Sequence, residues 1–433
     1  MRKVLWIATL AMLFASGLYA QQDISGDWQG TLERGGQKLR GILRVTKGDD
    51  GALRGMIIPV DGTNDWGLGI PVTSMTLQGP TLKFTVASNQ GVYEGTLSSD
   101  GMSITGTWKQ GQTPAQPLIY QRATKDTAWK DPSPHTVQFV TVEKDVKLEV
   151  LDWGGAGKPL ILLAGLGNTA HVFDKFAPKL TPAHHVYGIT RRGFGASSTP
   201  ATGYSADRLG DDVMAVMDAL KIDKPVLVGH SIAGEELSSI GSRHPEKVAG
   251  LVYLDAGYSY AFYNRSSGDL LLDLFDLEKK LRDLEPANIK QDPKPLIQET
   301  LGNLLLFEKD LQLWLQNLQD APPAPAGAHP SGPSPQAAMA VVEGEQKFTS
   351  VPVPILAFFA VPRDFGPLAG MDSATRATFE ARQNSGIEEQ AKAFETGLPS
   401  SRVVRLPHAN HYVFVSNEAD VLREMNAFLA GLR

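Results

Sequence analysis

The sequence predicts a mostly parallel α/β sheet wrapped by helices on both faces, with a helical cap, preceded by a small antiparallel β-barrel or sandwich. Three observations carry that expectation. Short apolar runs alternate with helical stretches from about residue 137 onward. From Asp23 to about Ala123 the hydrophobic pattern has a period of two and is broken by turn signals. Finally, the apolar run Pro225-Val226-Leu227-Val228 leads through Gly229-His230-Ser231-Ile232-Ala233-Gly234 into a helical pattern.

The totals set the limits. A chain of 433 residues is long enough for two or three domains with ample cores. At 42% hydrophobic and 20% charged residues, the composition is that of a globular protein. A net charge of −6 carries no footprint of a nucleic-acid or anionic partner. The absence of cysteine excludes disulfides, a cysteine nucleophile, thiolate metal sites and a lipidated N-terminal cysteine.

Residues 1–20 read as a signal peptide: Arg2 and Lys3 precede an almost wholly apolar run over 4–18, and Ala20 stands before the expected cleavage. The run is short for a membrane anchor. Removing Arg2 and Lys3 takes the net charge from −6 to −8. The mature chain is therefore expected in a periplasm or outside the cell, with no stable membrane span.

Within 23–123, strands are expected over 38–46, 53–60, 81–87, 91–97 and 103–108, separated by turns such as Gly35-Gly36, Gly79-Pro80 and Asp100-Gly101. The segments GDWQGTL and ITGTWKQG loosely resemble small lipocalin-like barrels that precede exported hydrolases. That likeness implies a binding module. A spacer or docking domain is the preferred alternative, because no polar cluster marks a site. Residues 124–134, with charge and two prolines, read as a linker.

The larger domain, 135–433, opens with antiparallel strands over 137–142 and 146–153. Apolar strands follow at 159–163, 186–189, 225–228, 248–254, 353–360 and 402–406, with an amphipathic helix over 211–220. An insertion over 256–350 reads as a cap with helices at 269–284 and 295–318, rich in Leu and carrying Phe275, Phe307 and Trp314. Residues 321–335 are proline-rich and read as irregular.

Ser231 is the candidate nucleophile. A serine hydroxyl is a poor nucleophile and must be held where a base can reach it. A sharp turn between strand and helix does this and aims backbone N–H groups at a reacting carbonyl oxygen. Two other leads close at once. GGAGK, ending at Lys158, has Asp152 and Pro159 where a phosphate loop needs glycine and Ser or Thr. His184-His185 reads as surface loop rather than a ligand pair.

With this turn and three further motifs, residues from about 137 to 433 resemble an α/β-hydrolase. The turn departs from G-x-S-x-G at Ala233, with Gly234 following. Leu163-Ala164-Gly165-Leu166-Gly167 follows a strand where the family places a second oxyanion donor, with Ala164 replacing the usual histidine. The resemblance implies an oxyanion hole from the N–H groups of Leu166 and Ile232. Arg191-Arg192-Gly193-Phe194-Gly195-Ala196-Ser197 looks like a structural loop of the family. His411, before the apolar Tyr412-Val413-Phe414, matches the position of the family's base better than His408 does. For the acid, the resemblance favours Asp364, just past the strand at 353–360, over Asp255 at the end of the preceding strand, with Asp372 third.

The resemblance thus implies a serine hydrolase acting on an ester or related acyl bond through an acyl-enzyme, without cofactor or metal, on a small and apolar acyl substrate. Acyl transfer, or cleavage of an amide, lactone or carbon–carbon bond, would use the same groups. A ligand-binding protein of this fold without turnover is the alternative from another class. A serine at 231 rather than an aspartate argues against epoxide hydrolases and haloalkane dehalogenases.

Overall fold

A computed structural model describes residues 22–432 apart from 35–36, 49–50, 60–69, 88–89, 125–126, 128–134, 290, 320–335 and 367–371. The expected signal peptide, most of the expected linker and the proline-rich stretch at 321–335 lie outside the described residues.

The first sheet holds nine strands: β1 Gly26–Arg34, β2 Gln37–Lys47, β3 Leu53–Pro59, β4 Ile70–Pro71, β5 Ser74–Gln78, β6 Thr81–Val86, β7 Gly91–Leu97, β8 Ser103–Gln110 and β9 Gln116–Arg122. Their spatial order is β4-β3-β2-β1-β9-β8-β7-β6-β5, and every neighbouring pair is antiparallel. Alternation does the work: every second residue of β7 is buried. Trp28, Leu43, Phe84, Tyr93, Ile104 and Tyr120 form one apolar core on the concave side.

The buried polar tips on that side find partners. The Tyr93 hydroxyl bonds the carbonyls of Ile104 and Leu118, and Trp28 Nε1–H donates to the Ile24 carbonyl. Glycine at 106 makes the crowding possible, since a Cβ there would lie 2.3 Å from the Glu94 carbonyl oxygen. The expected small antiparallel barrel or sandwich is one curled antiparallel sheet, a half-barrel. Among the described residues its end strands β4 and β5 do not pair with each other. They are consecutive in the chain: Val72 N–H donates to the Gly55 carbonyl at 2.9 Å and Thr73 N–H to the Thr85 carbonyl at 2.7 Å, so one short segment runs from β3 to β6.

The second sheet holds eight strands: β10 Thr136–Glu143, β11 Val146–Gly154, β12 Lys158–Leu163, β13 His184–Ile189, β14 Val226–His230, β15 Gly250–Leu254, β16 Ile355–Ala360 and β17 Ser401–Leu406. The order is β10-β11-β13-β12-β14-β15-β16-β17, antiparallel at the β10–β11 and β11–β13 pairs and parallel beyond. β14, β15 and β16 are buried throughout, as their unbroken apolar runs predict.

Helices cover both faces. One core joins the sheet to α1 Ala206–Leu220, α2 Ala233–Arg243 and α6 Ser373–Gly397; the other joins it to α7 Val413–Ser416 and α8 Glu418–Gly431. α1 begins five residues before the expected start, because Ser205 caps it by accepting from the Arg208 N–H. The cap contains α3 Leu270–Asp283, α4 Lys294–Gln319 and α5 Gln336–Glu343. Asp269 caps α3, accepting from Leu271 and Leu272 N–H. α5 lies over the C-terminal edge of the sheet, where Ala337 and Val341 pack with Ile232, Phe194 and Tyr204.

Strands pair only within their own sheet, and the two sheets have separate apolar cores. A chain beginning at residue 131 should therefore fold alone. Thermal unfolding followed by circular dichroism should show one cooperative transition. A broad, non-cooperative melt would mean that the first sheet is needed for the second to fold.

Candidate active site

At the end of β14 the chain turns sharply, and Ser231 takes a left-handed backbone with φ of +54°. Its N–H donates to the Leu254 carbonyl at 3.3 Å, and its carbonyl accepts from the Gly234 N–H at 2.9 Å. α2 then starts at Ala233. The structure explains the departure at Ala233. The closest approach falls one residue later, where a Cβ on Gly234 would lie 2.0 Å from the Ala256 carbonyl oxygen. Ala233 packs against Gly229 with room for its methyl.

His411 Nε2 lies 2.9 Å from Ser231 Oγ, and His411 Nδ1 lies 2.7 Å from Asp255 Oδ2. Asp255 stands at the end of β15 with φ of +48° and is fully buried. Its Oδ1 accepts from the Ala360 N–H at 3.0 Å and the Tyr258 hydroxyl at 2.9 Å. Its Oδ2 also accepts from Arg363 Nη2 at 2.5 Å.

Asp364, the favoured acid, is not brought to the histidine. It is exposed, and its carboxylate accepts from the Gly366 N–H within its own loop. Asp255 takes the place beside His411 because β15 adjoins β14, so its end faces the Ser231 turn from one strand away. Asp372 caps α6, accepting from Ala374 and Thr375 N–H. His408 is exposed, with φ of +59°, and its N–H donates to the Pro362 carbonyl.

Four contributors escaped the sequence reading. His230 is buried, and its Nε2–H donates to the His411 carbonyl at 3.1 Å, holding that residue's backbone. Burial and the neighbouring His411 keep its imidazole neutral, well below its ordinary range. Tyr260 packs against the cluster that holds Ile232, next to Ser231, and burial pushes its phenol well up. Tyr258 and Arg363 grip Asp255. The aromatic pair in Asp255-Ala256-Gly257-Tyr258-Ser259-Tyr260 was the available signal for two of these.

The Leu166 and Ile232 N–H groups make no hydrogen bond among the described residues, so both remain able to donate. The loop carrying Leu166 is braced from below: Arg191 Nη2 donates to the Ala164 carbonyl at 2.9 Å while its Nε bonds Glu236. Gly165 is required there, since a Cβ would meet His230 Nδ1 at 2.8 Å. Arg192 forks onto Asp212 with two bonds of 2.6 Å, in keeping with the structural reading of this loop.

Residues 158–345 match the protein family described as alpha/beta hydrolase fold. The fold is the alpha/beta hydrolase fold. The chain is 30% identical to a 2-hydroxymuconate semialdehyde hydrolase of Pseudomonas sp. (strain CF600) over 185 residues, 39% of this chain and 65% of that protein. It is 29% identical to the AB hydrolase superfamily protein YisY of Bacillus subtilis (strain 168) over 181 residues, 39% of this chain and 67% of that protein. It thus spans about two thirds of the length of these curated relatives. A solved esterase from Exiguobacterium antarcticum is 18% identical, with a TM-score of 0.44, covering 68% of this chain and 100% of that one.

Away from the hydrolase-fold turn, a second polar cluster is buried. His171 bonds Asp174 through Nδ1 at 3.3 Å and Glu149 through Nε2 at 3.4 Å; His135 Nδ1 bonds Asp174 at 2.6 Å. The ligating atoms of His135, His171 and Asp174 lie within 4.8 Å of one another, the spacing a metal would need, but here they are engaged with one another. The cluster ties the entry to β10 onto the turn at Ala170–Phe173. His184 and His185, expected in a loop, start β13, where His185 bonds Asp152 at 2.8 Å.

This cluster makes stability depend on pH. Burial opposes charge on His171, but the Glu149 and Asp174 carboxylates outweigh it and raise its pKa to about 10. Burial also opposes charge on Glu149 and Asp174, yet the two imidazoles hold both below the usual carboxylate range. The His171 contribution is complete below about pH 6.5 and is lost as pH rises through about 10. The carboxylate contributions are present above their ordinary range and are lost on acidification. The urea midpoint should therefore fall between about pH 6.5 and 10, and His171→Gln should flatten that slope while lowering stability overall. Equal slopes in both proteins would place the pH dependence elsewhere.

Proposed function

We propose that this chain is an exported serine hydrolase that cleaves an ester or related acyl bond through an acyl-enzyme. The observation that carries the reading is the continuous line from Ser231 Oγ through His411 to Asp255, at 2.9 and 2.7 Å. In this mechanism Ser231 Oγ attacks the acyl carbon and its proton passes to His411 Nε2. Asp255 holds the imidazole in register and stabilises the imidazolium. The Leu166 and Ile232 N–H groups receive the developing oxyanion. His411 then protonates the leaving oxygen, and water repeats the sequence on the acyl-enzyme.

A largely apolar acyl group suits the surroundings of Ser231, whose neighbour Ile232 packs with Phe194, Ala337 and Val341, with Tyr260 against them. The substrate panel should hold amides, lactones and compounds with carbon–carbon acyl bonds beside esters, and include 2-hydroxymuconate semialdehyde and 2-(acetamidomethylene)succinate after the names of two relatives. Export rests on the basic and apolar run at 2–18. N-terminal sequencing of protein recovered from the periplasm or medium should begin at Gln21, and recovery of the full-length chain in the cytosol would refute export.

Ser231→Ala should abolish ester turnover, with a loss on the order of 10³-fold or more, and His411→Ala should match it, because the two act as one unit. Near wild-type rates in either variant would refute the mechanism. His408→Ala should cost little.

Asp255→Asn should lose about 10⁴-fold, because an amide cannot stabilise imidazolium. Asp364→Asn should stay within about threefold, as an exposed group bonded only inside its own loop. The measurement is kcat/KM on one activated ester, and the reverse ranking would return the acid to Asp364.

A further inference from the structure

The loop after β16, from which the sequence led one to expect an acid, delivers a cation instead. We propose that Arg363 is a positioning residue that clamps the Asp255 carboxylate in line with His411 and competes with the imidazole for its charge. This rests on the Ser231–His411–Asp255 reading and adds a device to it.

Asp255 is surrounded by four donors. Oδ1 takes the Ala360 N–H and the Tyr258 hydroxyl, and Oδ2 takes both His411 Nδ1 and Arg363 Nη2. The guanidinium therefore binds the same oxygen as the base. Arg363 is itself held: its N–H donates to Asn384 Oδ1 at 2.7 Å, its Nη2 also bonds the Tyr258 hydroxyl, and its guanidinium lies beside the Phe365 ring at 5.7 Å.

Its loop is stitched to the loop bearing His411. Asp364 N–H donates to the Ala409 carbonyl at 2.9 Å, and His408 N–H to the Pro362 carbonyl at 2.7 Å. Clamp and base thus share one frame.

The electrostatic consequence has a definite sign. A carboxylate facing imidazole alone gives its whole charge to stabilising imidazolium. Paired with Arg363, Asp255 is part of a neutral unit, and a positive imidazole beside it would no longer face an uncompensated carboxylate. The other groups facing this unit do not supply one. His230 stays neutral, Tyr258, Tyr260 and Tyr412 stay protonated, and the Glu345 carboxyl near Tyr260 is pushed up to about 8 by burial and Asp269. The Arg363 charge thus opposes a second positive charge on the neighbouring imidazole.

The test is the rate of covalent labelling of the full-length mature chain by a fluorophosphonate, measured from about pH 4.5 to 9, which needs no knowledge of the substrate. In Arg363→Gln the acidic limb should move up by about one pH unit, with the plateau rate reduced about tenfold by loss of alignment. Arg363→Lys keeps the charge without the planar fork, so it should keep the limb within a few tenths of wild type while losing part of the plateau. Arg363→Met serves for Arg363→Gln if circular dichroism shows the latter unfolded.

An unmoved limb in the uncharged variant, or a Lys limb displaced as far as the Gln limb, would overturn the inference. Labelling that survives in Ser231→Ala would instead overturn the triad itself. Loss of labelling in Ser231→Ala together with an unmoved limb in Arg363→Gln would leave the triad standing and remove Arg363 from it.

Discussion

A negative charge at the end of a fully buried strand is the constraint around which the second sheet is arranged. An unpaired carboxylate in such a place would be protonated or would destabilise the fold. Asp255 is satisfied by a backbone N–H from β16, a phenol three residues on, an arginine from the loop after β16 and an imidazole from the loop after β17. Three strand ends converge on one side chain. The interaction that makes the buried charge tolerable is thus the same one that orients His411 toward Ser231.

The backbone at this edge is held in uncommon conformations. Ser231, Asp255 and His408 all have positive φ, between +48° and +59°. Such residues cost of order 1–3 kcal/mol each and persist only where surrounding structure over-determines them. Here the surroundings are hydrogen bonds between neighbouring loops, from Ser231 to Leu254, from His408 to Pro362 and from Asp364 to Ala409. Two cores lie below this edge, one on each face, and give the loops a rigid base. Buried Arg191 and Arg192 lock the adjoining loop to Glu236, Ala164 and Asp212.

Period and local chemistry made much of this legible in advance. The apolar runs of β12, β14, β15 and β16, the period-two pattern of β7 and the start of α3 at Asp269 are local properties. So is the serine turn, because a strand ending in small residues before a helix has few other uses. The choice of His411 over His408 also followed from local context, namely the apolar run that begins at Tyr412.

What only the tertiary structure decided are the questions that turn on which strand end faces which. Asp255 and Asp364 follow consecutive parallel strands and differ little in sequence context, but only Asp255 is buried against His411. No pattern along the chain reveals that the loop after β16 supplies Arg363 to Asp255, or that His230 reaches the His411 carbonyl, since these partners lie far apart in sequence. The segment at 70–78, which bonds both β3 and β6, was hidden for a like reason: alternation reports the inward face of a strand but not which strands it joins. Sequence thus determined the elements and the strand-to-helix turn that carries Ser231, while the assembly of a polar network across three strand ends belonged to the packed fold.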